Sequence, residues 1–246
     1  MNLNNDLSLR VVLRSTELPW QPSPVESVQR RLLARDGGEE ARATSIVRYA
    51  PGAKFPSHAH PQGEEIVVLE GEFADEHGIY PAGTYLKNPP GTSHAPRSDV
   101  GCTLFVKLRH LNELDLEQQV IRPMDQHWRP GLVSGLEVVS LSEFGATHTA
   151  LVRWAPGTFF NKHHHFGGEE IFVLQGTFQD EYGSYPSGTW IRSPPHELPP
   201  TLLRVRLPDL RQGWALALMK STCRSLAIGD VCLLMTLITT DHVRRQ

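Results

Sequence analysis

Apolar positions along this chain come in short bursts rather than helical stripes. "EIVVLEGEF" (Glu65–Phe73) and "EIFVLQGTF" (Glu170–Phe178) are rich in β-branched and aromatic residues, and "PAGTYLK" and "PSGTWIR" each set a glycine turn ahead of an aromatic-rich run. Runs of this kind recur about every 8–12 residues between Gly and Pro, the spacing of a sandwich or barrel. No long segment keeps a 3.6-residue period. The pattern predicts an all-β barrel or sandwich, with helix only in scraps such as "ESVQRRLL" (residues 26–33) and "LNELDLE" (residues 111–117).

The same pattern occurs twice. Residues 47–90 match residues 152–195 without a gap, at an offset of 105 and with 25 identities in 44 positions, which marks an internal duplication. Upstream, at an offset of 108, "VVLRSTELPW" before "QPS" resembles "QVIRPMDQHW" before "RPG". The expected organisation is an N-terminal tail (1–9), a first barrel (10–117), a second, truncated barrel (118–195) and a tail (196–246).

The second copy is truncated because the resemblance stops abruptly after Pro195. The first copy continues "PPGTSHAPRSDVGCTLFVKLR"; the second continues "PPHELPPTLLRVRLPDLRQGW", with Pro199 where the first has His94 and with His196 three residues early. Abrupt loss suggests a change of reading frame. Codons permitted for His196–Ala215, advanced by one base, can read "TSSHRPYSESGCLIYVKVG", which restores the histidine, the Gly-Cys pair and the Val-Lys in register. Residues 196–246 are therefore read as an out-of-frame or disordered tail, and the second barrel as incomplete, unless Leu-rich segments of the tail pack into the gap.

Candidate chemistry sits at the start of each copy's main strand. His58-Ala59-His60 is followed by Glu64 and then Gly71. Strand alternation lets His58, His60 and Glu64 point inward while Ala59 and Glu65 point away. Two imidazoles and a carboxylate suit Zn, Fe, Mn, Ni or Cu. His94, behind the Pro89-x-Gly91 turn, supplies a fourth ligand from a later strand. In the second copy His163, His165 and Glu169 repeat the first three, His164 falls on the outward side, and the fourth ligand is missing. The expectation is one metal in the first barrel and a weak or absent one in the second.

These two motifs, in this order, resemble the signature motifs of the cupin superfamily, whose small jelly-roll barrels hold a metal through three histidines and a glutamate. The wording is similar to the cupin half of ChrR-like zinc-dependent anti-sigma factors. That resemblance implies two tandem cupin barrels (a bicupin) and a zinc or iron site at His58, His60, Glu64 and His94. It also implies regulation of a sigma factor through a separate helical zinc domain, but the first 50 residues contain no His and no Cys, so that half is not visible here.

Composition narrows the classes further. A net charge of −3 and a pI of 6.5 give no basic field for nucleic acid. No apolar run suggests a membrane span or secretion signal, and Cys102, Cys223 and Cys232 lack CxxC spacing; a cytoplasmic protein is expected. Three functional classes remain: a metal-dependent regulator; an Fe-, Mn- or Ni-dependent dioxygenase, isomerase or decarboxylase acting on a small molecule in a dry pocket lined by Phe55, Ile66, Tyr85 and Phe105; and a structural pair of barrels. Two barrels in one chain imitate the dimer of single cupins, and a homodimer through cupin faces is a further expectation.

Overall fold

The computed structural model describes residues 1–161, 167–195 and 224–238. The chain divides into two compact units: Met1–Leu7, Val11–Trp128 and Gly188–Trp190 form the first, and Ser8–Arg10, Arg129–Ser187 and Ile191–Gln246 the second. Among the described residues there is no α-helix, only strands and two short 3-10 turns.

In the first unit the strands that matter are β1 (Val28–Asp36), β2 (Arg42–Tyr49), β3 (His58–His60), β4 (Glu64–Ala74), β5 (Tyr85–Asn88), β6 (Thr92–His94) and β7 (Cys102–Leu108). The main sheet runs β1-β2-β7-β4-β5, every neighbour antiparallel, while β3 and β6 form a separate two-stranded ribbon. The segment expected to carry a helical scrap before Leu33 is the strand β1 instead. Val28, Leu32 and Leu33 are buried there, and pairing of β1 with β2 overrides the good helical propensity of its arginines and leucines. No helix forms over residues 111–117.

Alternation along β4 sorts its side chains. Ile66 and Val68 join Val28, Phe73, Leu86 and Leu104 in the inner core. Tyr85, Val67 and Phe105 pair across β5, β4 and β7 in one row, and Leu86, Ile66 and Val106 in the next. Tyr85 and Phe105 are thus on the opposite face of the sheet from Ile66, so the four residues expected to line one pocket do not share a side. The same strand needs Gly71: its φ is +72°, and a Cβ there would lie 2.0 Å from the Gly101 carbonyl oxygen.

The second unit repeats the plan with β8 (Leu136–Phe144), β9 (Thr147–Trp154), β10 (Glu169–Asp180), β11 (Thr189–Ser193) and β12 (Arg224–Ile238), in the order β8-β9-β12-β10-β11. β12 takes the place of β7: Leu233 meets Val173 as Leu104 meets Val68. This strand comes from within the stretch after residue 195. Leu233, Ile171, Val173, Trp154 and Ile191 share a buried core.

Candidate metal centre

The ribbon of β3 and β6 builds the site. Its register sets His94 opposite His58, Ser93 opposite Ala59, and Thr92 opposite His60. The histidines therefore share one face with Thr92, and the exposed Ala59 and Ser93 share the other. The Pro89-Pro90-Gly91 turn aims β6: Gly91 takes φ +88°, and its N–H donates to the carbonyl of His60 at 2.9 Å. Glu64, the first residue of β4, is buried beside them.

His58, His60, Glu64 and His94 each offer a donor atom, all within 4.8 Å of one another. His60 Nε2 and His94 Nε2 lie 3.5 and 3.6 Å from Glu64 Oε2. Donors about 2.0–2.2 Å from a common metal stand about 3–4 Å apart. The ring centroids of His60 and His94 are 4.6 Å apart, edge to face. Among the described residues this is the one cluster of its kind.

The surroundings orient each candidate donor. His58 Nδ1 lies 3.0 Å from the Pro56 carbonyl, His60 Nδ1 3.4 Å from Thr92 Oγ1, and His94 Nδ1 3.4 Å from Asp75 Oδ2. Thr92 donates its own hydroxyl to the Pro89 carbonyl, so its oxygen faces His60 as an acceptor. Each contact favours a proton on Nδ1 and leaves Nε2 for a metal, the His94 contact as a close ion pair rather than a formed hydrogen bond. Asn88 donates to Glu64 Oε2 at 3.1 Å. His60 Nε2 is buried without a hydrogen-bond partner, a cost that a bound cation would remove. The residues present therefore fit a metal.

Electrostatics divide the histidines. Burial pushes the His60 imidazole below its ordinary range; Glu64 opposes this, and His94 and His58 reinforce it. Burial acts the same way on His94, but Asp75 and Glu64 outweigh it and hold that imidazole above its usual value.

In the second unit Glu169 opens β10 as Glu64 opens β4. Burial, aided by Asp180 and opposed by Arg10, pushes its carboxyl up to about 7. His163, His165, His196 and Pro199 lie outside the described residues. Glu65 does point away from the histidines, yet it is buried rather than solvated: it accepts hydrogen bonds from Tyr85 and His110. Asp75, Asn88 and Thr92 escaped the sequence reading. For Asp75 the available signal was "DExGxYP", kept in both copies.

Tandem β-barrels, with three histidines and a glutamate gathered around one ribbon, define a bicupin. The family model described as the ChrR cupin-like domain matches residues 8–112 and again 116–200, so the chain belongs to that family of the cupin superfamily. No curated protein matches the chain. Solved structures share its fold. A proposed dioxygenase of Nostoc punctiforme is 12% identical, with a TM-score of 0.72 over 97% of this chain and 85% of its own. A Pseudomonas aeruginosa protein proposed to be glyoxylate-induced is 15% identical, with a TM-score of 0.68 over 100% and 93%. Oxalate decarboxylase of Lactobacillus farciminis, in its formate complex, is 12% identical, with a TM-score of 0.57 over 93% and 86%. At these identities the likeness concerns the fold.

Proposed function

We propose that the first unit binds one divalent transition metal, zinc or iron, through His58, His60, Glu64 and His94, and that the chain is a metal-dependent regulatory module of the ChrR-like kind. The convergence of four donors within 4.8 Å carries this reading. Family membership supports the regulatory role. The residues present bind and orient the metal: three carbonyl, hydroxyl or carboxylate oxygens set the imidazole tautomers, and Asn88 steadies the carboxylate. A metal bound there would supply Lewis-acid or redox chemistry.

Elemental analysis of the purified chain tests the reading. One metal per chain is expected, lost in His60→Ala. Two per chain contradict a single intact site, and none in the wild type overturns the proposal.

One observation favours an enzyme as the second reading. His58 is half-exposed while the other three ligands are buried, so one side of the site faces solvent. A closed four-coordinate zinc supports the regulator; iron or manganese with exchangeable positions, detected as a spectral change on adding azide, supports a metalloenzyme.

A further inference from the structure

The carboxylate of Asp75, at the end of β4, gives its two oxygens different duties. Oδ1 accepts the N–H of His77 at 2.8 Å, the N–H of Gly78 at 3.1 Å and the hydroxyl of Tyr80 at 2.9 Å, closing a tight return of the chain. Oδ2 faces His94 Nδ1 at 3.4 Å, while the far nitrogen of the same ring faces Glu64.

The duplicated half shows that the turn does not require Oδ2 for itself. Asp180 stands at the equivalent place, and its Oδ1 accepts the N–H of Tyr182 at 2.7 Å, the N–H of Gly183 at 3.0 Å and the Tyr185 hydroxyl at 2.7 Å. These are the same three donors, 105 residues on. Its Oδ2 meets Arg10 at 3.0 Å instead, and that guanidinium also donates to the Tyr185 oxygen and lies over the Tyr182 ring. Both copies keep the turn, whereas the partner on the second oxygen differs: an imidazole in one, a guanidinium in the other.

We propose that Asp75 is the positioning residue of the metal centre: its Oδ2 keeps the His94 proton on Nδ1 and thereby fixes Nε2 as the metal donor. The inference rests on the metal reading above. A carboxylate so placed restrains the ring against rotation and tautomer exchange and raises its basicity as a ligand. Loss of such a partner typically weakens metal binding about 10–100-fold.

The test is a pair of substitutions in the full chain. In Asp75→Asn the amide oxygen can keep the three turn donors, which sets the NH2 group against His94 Nδ1, a donor where an acceptor stood. Tyr80→Phe removes one bond to Oδ1 and leaves Oδ2 alone. Cobalt(II) affinity is measured by competition with a chromophoric chelator, and the ligand set by the cobalt visible absorption. Asp75→Asn is expected to bind about 10–100-fold more weakly, with an absorption like that of His94→Ala; Tyr80→Phe is expected to keep wild-type affinity and absorption.

Wild-type affinity and absorption in Asp75→Asn overturn the assignment, and so does equal weakening in Tyr80→Phe. Independently of any variant, long-range 1H–15N correlation of the zinc-loaded wild type is expected to place the His94 proton on Nδ1, and a proton on Nε2 overturns the proposal. A wild-type chain that takes up neither cobalt nor zinc overturns the metal reading itself, and this inference with it.

Discussion

Glu65 accepts the hydroxyl hydrogen of Tyr85 at 2.5 Å, on the face of β4 opposite to Glu64. Adjacent carboxylates on one strand thus have separate environments, one beside His60 and His94 and one in a buried network with His110 and Lys107. Burial alone would raise the Glu65 pKa, but hydrogen bonding and charge from His110, the charge of Lys107 and the Tyr85 hydroxyl outweigh it and bring it down to about 2.

That shift sets an acid-stability prediction. A carboxyl depressed in the folded state stabilises the fold above its unfolded value, about 4.3, and the contribution is lost as pH falls through the folded value. Glu65→Gln is expected to be less stable than wild type by a few kcal/mol at neutral pH, and the gap should close between about pH 4.3 and about pH 2. Urea unfolding at a series of pH values checks this. Metal stoichiometry should not change, because Glu65 is not among the proposed ligands.

Metal should stabilise the fold through the first unit. A saturating metal at 100 times its Kd adds about 2.7 kcal/mol, read as a rise in Tm that a chelator reverses. His60→Ala should abolish the response. Asn88→Ala, which removes a donor to Glu64, should need about tenfold more metal for the same rise.

Two glycines separate steric from conformational demand. Gly71 and Gly52 both have positive φ, but a Cβ meets the Gly101 carbonyl oxygen at 2.0 Å at the first and nothing within 4 Å at the second. Gly52→Ala is expected to cost about 1 kcal/mol from backbone strain. Gly71→Ala should cost clearly more, since β4 and the Gly101–Cys102 segment must separate. Denaturant midpoints of the two variants give the comparison.

The stretch after Pro195 makes a prediction about the gene. We propose that residues from about 196 onward are read out of the ancestral frame. Advanced by one base, the codons for His196–Ala215 are expected to read a histidine and a downstream Gly-Cys pair in register with His94 and Gly101-Cys102. The nucleotide sequence decides it, and codons that cannot be read this way sink the idea.

Much of this was legible because duplication writes the important spacings twice. The β-barrel class, the repeat and the candidate donors His58, His60, Glu64 and His94, which the fold gathers within 4.8 Å, all follow from alternation and spacing, which are local properties of a strand. What the chain did not announce depends on partners distant in sequence. Alternation turns Glu65 away from the histidines, but its buried partner His110 lies 45 residues on. Tyr85 and Phe105 were expected beside Ile66, but the register of three strands puts them one row away. β12 could not be read from period-2 alternation, because "LLMTLI" is apolar but for Thr236, close to the near-continuous pattern of a strand covered on both faces.

The hold of Arg10 on Asp180 spans 170 residues of chain. Arg10 therefore waits, during synthesis, for a partner that follows it 170 residues later. Completion of the second barrel closes a loop that takes in most of the molecule, a slow, high-separation event. A second barrel made alone, without residues 8–10, would carry Asp180 with an oxygen left to water.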